Sequence, residues 1–153
     1  MGEKLIIHAN HSILINRPAE AVWDFTQDFS IRTTWDRSLQ DCTLIASVPE
    51  RKASILAKAG LSAVLEYKLF DRPHKTSVRM THIHSPMIVD GGGSWTYEKQ
   101  SAHSTLWSQS NTLTMKNSWL SILLKPLLNK VLKMHTVKTM KRAKLLLEQQ
   151  NEN

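Results

Sequence analysis

The sequence predicts one α+β domain over residues 1–153: a seven-stranded antiparallel sheet curved around a long C-terminal helix, with two short helices after the first strand. Three observations predict it. The chain has 153 residues, enough to bury one core and too few for two comfortable ones. From Leu39 to Met115 the hydrophobic period is two, cut only by short joints. Over Ser118–Glu148 the period becomes helical.

Each element follows in order. Leu5, Ile7, Ala9, His11, Ile13 and Ile15 alternate with His8, Asn10, Ser12 and Asn16, which is a long strand with one buried face. It stops at Arg17-Pro18, and Pro18 suits a first helical residue because its missing N–H is no loss there. Ala21, Val22, Phe25 and Phe29 recur at helical spacing, and a second short turn through Ile31–Thr34 leads to Trp35. Six strands are expected at about 37–48, 51–59, 62–72, 75–84, 92–99 and 103–115. The joints, such as Pro49-Glu50, Gly60 and Ser85-Pro86, are short enough to favour successive antiparallel hairpins. The run Gly91-Gly92-Gly93 is read as a bulge or a strongly bent strand. Leu120, Leu123, Leu124, Leu127, Leu128, Val131, Met134 and Leu145 form the stripe expected to cover the sheet, with a kink or a fresh start at Pro126.

Composition narrows the function classes. The chain is 41% hydrophobic and 22% charged, which argues against disorder. The single cysteine, Cys42, allows no internal disulfide and fits a reducing, cytoplasmic setting. The start has no apolar run of signal-peptide length, and Lys125, Asn129 and Lys130 interrupt the longest apolar stretch. The net charge is +7, and all of it comes from residues 99–153, which carry nine basic and two acidic residues. A solvated basic helix is the simpler reading of this asymmetry. The other is a weak contact with an anionic membrane surface. Basic and aromatic residues are not interleaved on one face, so no nucleic-acid partner is expected.

Beyond the order of elements, Ile15-Asn16-Arg17-Pro18-Ala19-Glu20-Ala21-Val22-Trp23-Asp24-Phe25, then Asp28-Phe29 and Trp35-Asp36, resembles the opening of the START-like, polyketide cyclase/dehydrase (SRPBCC) superfamily. Leu123-Leu124-Lys125-Pro126-Leu127-Leu128 and the Lys-rich helix after it are similar to that group's C-terminus. The resemblance spans nearly the whole chain and implies a helix-grip fold. It leaves function open, because lipid carriers, receptors, cyclases and hydrolases share this fold.

The strand faces propose a site. Tyr67, Met80, His82, Trp95, Tyr97 and Trp107 fall on the inner face, where rings give an apolar wall and polar tips orient a ligand atom; ordinary core packing is the other reading. Trp35 sits either at the cavity mouth or as a loop anchor. On a helical wheel Met134 and Lys138 fall with the closing stripe, as do His135 and Arg142. Lys138 and Arg142 would either meet an anionic ligand head or overhang the sheet into solvent. His82-x-His84 lacks further ligands at metal-binding spacing, so no metal is expected, and no cofactor signature is present.

The function expected is binding or transport of a hydrophobic or amphipathic small molecule, lipid-, sterol- or polyketide-like, by a monomer or homodimer. The alternative is an aromatase/cyclase- or dehydratase-type enzyme using Tyr67, His82 or His135 for proton transfer. A third reading is a peripheral membrane or protein-interaction module built on the basic helix.

Overall fold

The computed structural model describes residues 4–150. The elements are β1 (Leu5–Ile15), α1 (Ala19–Thr26), α2 (Arg32–Trp35), β2 (Leu39–Ala46), β3 (Lys52–Ala57), β4 (Ser62–Asp71), β5 (Lys75–His84), β6 (Ile88–Ser101), β7 (Ser104–Met115) and α3 (Trp119–Gln150). They form one seven-stranded antiparallel sheet in the order β1-β7-β6-β5-β4-β3-β2. This is the predicted helix-grip architecture. Each strand pairs with its chain neighbour except β1, which crosses the molecule to pair with β7, Leu5 opposite Met115 and Ile15 opposite Thr105.

The alternation in β1 has the expected sense: Ile7, Ala9 and Ile15 are buried, whereas Ile6 and Leu14 face solvent. Pro18 stands one position outside α1 as its N-cap, and its carbonyl accepts from the Val22 N–H at 3.1 Å. Ile15, Val22, Trp23, Phe25, Trp35, Tyr97, Trp107, Met140, Ala143 and Leu147 form the main core, where α1, α2 and the end of α3 meet the β1–β7–β6 side of the sheet. The sheet's other half carries a smaller cluster of Phe29, Ala53 and Tyr67.

Two expectations are corrected here. β6 starts at Ile88, not near 92, and the glycine run lies inside it with unbroken pairing to β7. Close neighbours explain these glycines. A Cβ on Gly91 would come within 2.5 Å of Met80 Sδ, one on Gly92 within 2.7 Å of the Val78 carbonyl, and one on Gly93 within 2.8 Å of Asn111 Oδ1. The second correction is the phase of α3. Its buried line is Ser121, Thr136, Met140, Ala143 and Leu147, while Leu120, Leu123, Leu127, Met134 and Leu145 are exposed. Leucines on every side of its first half hide the phase, and the hollow beneath its middle removes the need for bulky inner residues.

The Ser118 hydroxyl caps α3 by accepting from the Ser121 N–H at 3.2 Å. The helix then runs unbroken through Pro126. It leans on β1 and its exit: Asn129 Oδ1 accepts from the His8 N–H, Arg17 donates to the Leu147 carbonyl, and Lys144 donates to the Leu14 carbonyl. Leaning that way, it packs mainly on β1 and spans the β3–β5 side of the sheet across a gap.

Candidate functional site

The space under the middle of α3 is a partly open cavity of about 220 Å³. Aliphatic side chains from five strands make its wall, including Leu39, Ile55, Leu65, Val78, Met80 and Leu113. Leu132, His135, Thr136 and Thr139 of α3 form the roof. At the end where α2 meets the sheet the lining is polar, with Arg32, Asp36, Ser38, Gln109 and Asn111, and Tyr67, Thr76 and Thr112 add further polar atoms along the sheet wall.

An ion pair anchors that end. Arg32 Nη2 and Nε both lie 3.0 Å from Asp36 Oδ2, a spacing the i,i+4 step from α2 into its cap provides. Asp36 Oδ1 accepts from the Ser38 hydroxyl and backbone N–H, so both carboxylate oxygens are engaged. The guanidinium packs against two neighbouring indoles, 4.6 Å from the Trp35 ring and 4.7 Å from the Trp95 ring. Arg32 and Asp36 are 9% and 7% exposed, so two opposite charges compensate each other inside the domain.

Beside it a row of side chains crosses the sheet. Trp95 on β6 faces Gln109 on β7, and Asn111 is the next residue on the same face. The Trp95 indole N–H donates to Asn111 Oδ1 at 3.3 Å, and Asn111 Nδ2 donates to Gln109 Oε1 at 2.8 Å. Among the described residues, Gln109 Nε2 is buried without a hydrogen-bond partner.

A second polar network lies under the cavity, toward α1. Tyr67 donates to Gln27 Oε1 at 2.9 Å, Gln27 Nε2 donates to the Tyr97 hydroxyl at 2.7 Å, and that hydroxyl also meets Thr26. Arg51 donates to the Gln27 carbonyl and sits over the Phe70, Phe29 and Tyr67 rings. Burial pushes the Tyr97 phenol far above its ordinary range and raises Tyr67 as well.

Of the sequence-predicted residues, the structure brings Tyr67, Met80 and Trp95 to the cavity wall. Trp35, Tyr97 and Trp107 belong to the solid core: Trp107 is fully buried, 5.8 Å from the Trp35 ring, 5.5 Å from Trp95 and 6.3 Å from Tyr97. His82 is turned outward. Strict alternation from Val78 and Met80 would point it inward, but β5 carries an extra residue here, with Ser62 opposite His84 and Val64 opposite Thr81, and His82 takes the left-handed φ of 50°. Met134 and Lys138 are exposed on the outer side of α3, because the helix is rotated from the expected phase. Arg142 donates to the Thr34 carbonyl at 2.8 Å and ties α3 to α2, while His135 stands at the cavity rim. Sequence reasoning missed Arg32, Asp36, Gln109 and Asn111. One signal was present: in β7, Gln109 and Asn111 share the face of Trp107 and Leu113, a polar pair on an otherwise bulky face. Among the described residues no three His, Cys, Asp or Glu side chains converge as a metal site would require. Nor is any helix there long and apolar enough to cross a membrane.

Comparison with known proteins agrees with this architecture. The family model described as polyketide cyclase / dehydrase and lipid transport matches residues 7–148. No curated protein matches the chain. Among solved structures, the Zhui aromatase/cyclase from Streptomyces sp. R1128 superposes with a TM-score of 0.80 at 12% identity, covering 94% of each chain. A START superfamily protein from Mycobacterium smegmatis gives 0.74 at 13% identity, covering 94% of this chain and 98% of its own. A conserved protein from Geobacillus kaustophilus gives 0.75 at 16% identity, over 94% and 96%. At such identities the likeness speaks for the fold.

Proposed function

Because this chain belongs to the polyketide cyclase / dehydrase and lipid transport family, we propose that its cavity binds a small, largely apolar molecule with one polar end. The observation that carries this reading is a cavity with a largely aliphatic sheet wall that meets the buried Arg32–Asp36 pair at one end. A cyclase or dehydratase is the second reading. Of the groups expected to move protons, the Tyr67 hydroxyl is committed to Gln27 and His82 faces outward, which leaves His135 at the rim. That balance favours holding a ligand over transforming one. The uncharged probe N-phenyl-1-naphthylamine should bind saturably at micromolar strength and quench tryptophan emission. Val78→Phe places a ring in the space the probe would fill, so binding should weaken about tenfold. Absent saturation, or binding indifferent to the filled cavity, would sink the reading.

A contact with anionic membrane surfaces is a separate reading, supported by the outer face of α3. Trp119, Ile122, Leu123 and Leu127 are 57–76% exposed there, and the exposed Lys130, Lys133, Lys138 and Lys141 continue the same side of the helix. Apolar side chains suited to the acyl boundary thus sit next to cations suited to acidic headgroups. Phosphatidylserine vesicles should sediment the protein at about 50 mM salt and release most of it at about 500 mM, where screening is severe. Replacing Trp119 with Ala should weaken the low-salt binding. Equal binding to purely zwitterionic vesicles, or none at low salt, would rule this contact out.

A further inference from the structure

The row Trp95–Asn111–Gln109 has a fixed direction. An indole nitrogen donates and never accepts, so the atom of Asn111 that meets Trp95 must be its carbonyl oxygen. That leaves the Asn111 Nδ2 hydrogens for Gln109, whose own carbonyl must therefore turn toward Asn111. The Gln109 amide N–H₂ is left as the end of the row, buried in the cavity wall with no acceptor among the described residues. Gly93 protects this arrangement, since a side chain there would press on Asn111 Oδ1. A buried amide donor without an acceptor destabilises its surroundings, and here one indole prevents the amides from turning to avoid it. The Arg32 guanidinium, paired with Asp36, lies 4.7 Å from the Trp95 ring and helps to fix it in place.

We infer that Gln109 is a specificity residue that reads an acceptor oxygen on the ligand, a ketone, quinone or carboxylate oxygen, and that Trp95 sets its polarity. This rests on the cavity reading above and adds the chemical class of the ligand's polar end. The two can fail separately. 9-Fluorenone and fluorene share a flat tricyclic body and differ only in C=O against CH₂ at one carbon. Displacement of N-phenyl-1-naphthylamine by each gives a ratio of affinities that a purely structural role for Gln109 would not move.

The unmodified protein should bind fluorenone about tenfold more tightly than fluorene, the worth of giving an unpaired buried donor its acceptor. Gln109→Met keeps the volume and removes the amide, so the ratio should fall below about twofold, whatever happens to the two affinities separately. Trp95→Phe leaves Gln109 in place but frees Asn111 to turn over, and the ratio should fall there too. If the unmodified protein binds both compounds equally, the inference is overturned while the cavity reading stands, and that arm does not depend on any variant folding. An unchanged ratio in Gln109→Met would also overturn it. If neither compound displaces the probe, the cavity reading fails and takes this inference with it.

Discussion

Arg32→Met should destabilise the domain by about 3–5 kcal/mol, the usual cost of stripping one partner from a buried ion pair. The methionine keeps much of the aliphatic stem against Trp35 and Trp95, so the effect falls on charge. Asp36 would retain its two Ser38 hydrogen bonds but be left without its counter-ion, in a place only 7% exposed. For a chain of this size the melting temperature should drop by roughly 10 °C. Circular dichroism melts of the single variant and of Arg32→Met/Asp36→Leu would test the cause. The double variant should recover most of the stability, since no lone charge remains. A drop of less than about 1 kcal/mol would place the pair with ordinary solvated ion pairs.

The other large effect belongs to Trp107. Its inner-face position in the sequence suggests a ligand contact, in which case truncation would weaken binding more than folding. In the structure the ring is fully buried between Trp35, Trp95 and Tyr97 and lies behind the cavity wall. Trp107→Ala should therefore cost about 3–5 kcal/mol of stability through the void it leaves. Trp107→Phe keeps most of the ring packing and should cost distinctly less. Urea unfolding gives both numbers, with a midpoint shift at nearly constant slope expected for each. Near-normal stability in Trp107→Ala, coupled to abolished probe binding, would restore the ligand-contact reading.

The contrast between these residues shows where the sequence is readable. Alternation in β1 and β7, the helix start after Pro18 and the turn at Gly60 are local signals, and the structure contains each of them. The start of β6 is obscured because glycine lowers strand propensity, while the reason for glycine there lies in β5 and β7, across the sheet. The phase of α3 is hidden because its first half is apolar nearly all round, and only the spacing of Thr136, Met140, Ala143 and Leu147 marks the buried side. His82 defeats alternation through a bulge that periodicity does not encode. The cavity's polar end is hard to see for a different reason. Arg32 and Asp36 lie in a four-residue helix and its cap, and their burial depends on two tryptophans, one of them about sixty residues away in the chain.

The pairing of β1 with β7 also sets an order of events during synthesis. Strands β2 to β6 can zip to their neighbours as they emerge, each hairpin closing over a short loop. β1 emerges first and must wait, because its partner begins at Ser104 and the helix that leans on it ends at Gln150. At roughly 5–20 residues per second of translation, the gap of about a hundred residues leaves it without its native partner for many seconds. Throughout that interval Ile7, Ala9, Ile13 and Ile15 have no native cover, on a strand with free edges. The alternating His, Asn and Ser residues between them keep the nascent segment half polar while it waits, which lowers its tendency to pair with other chains.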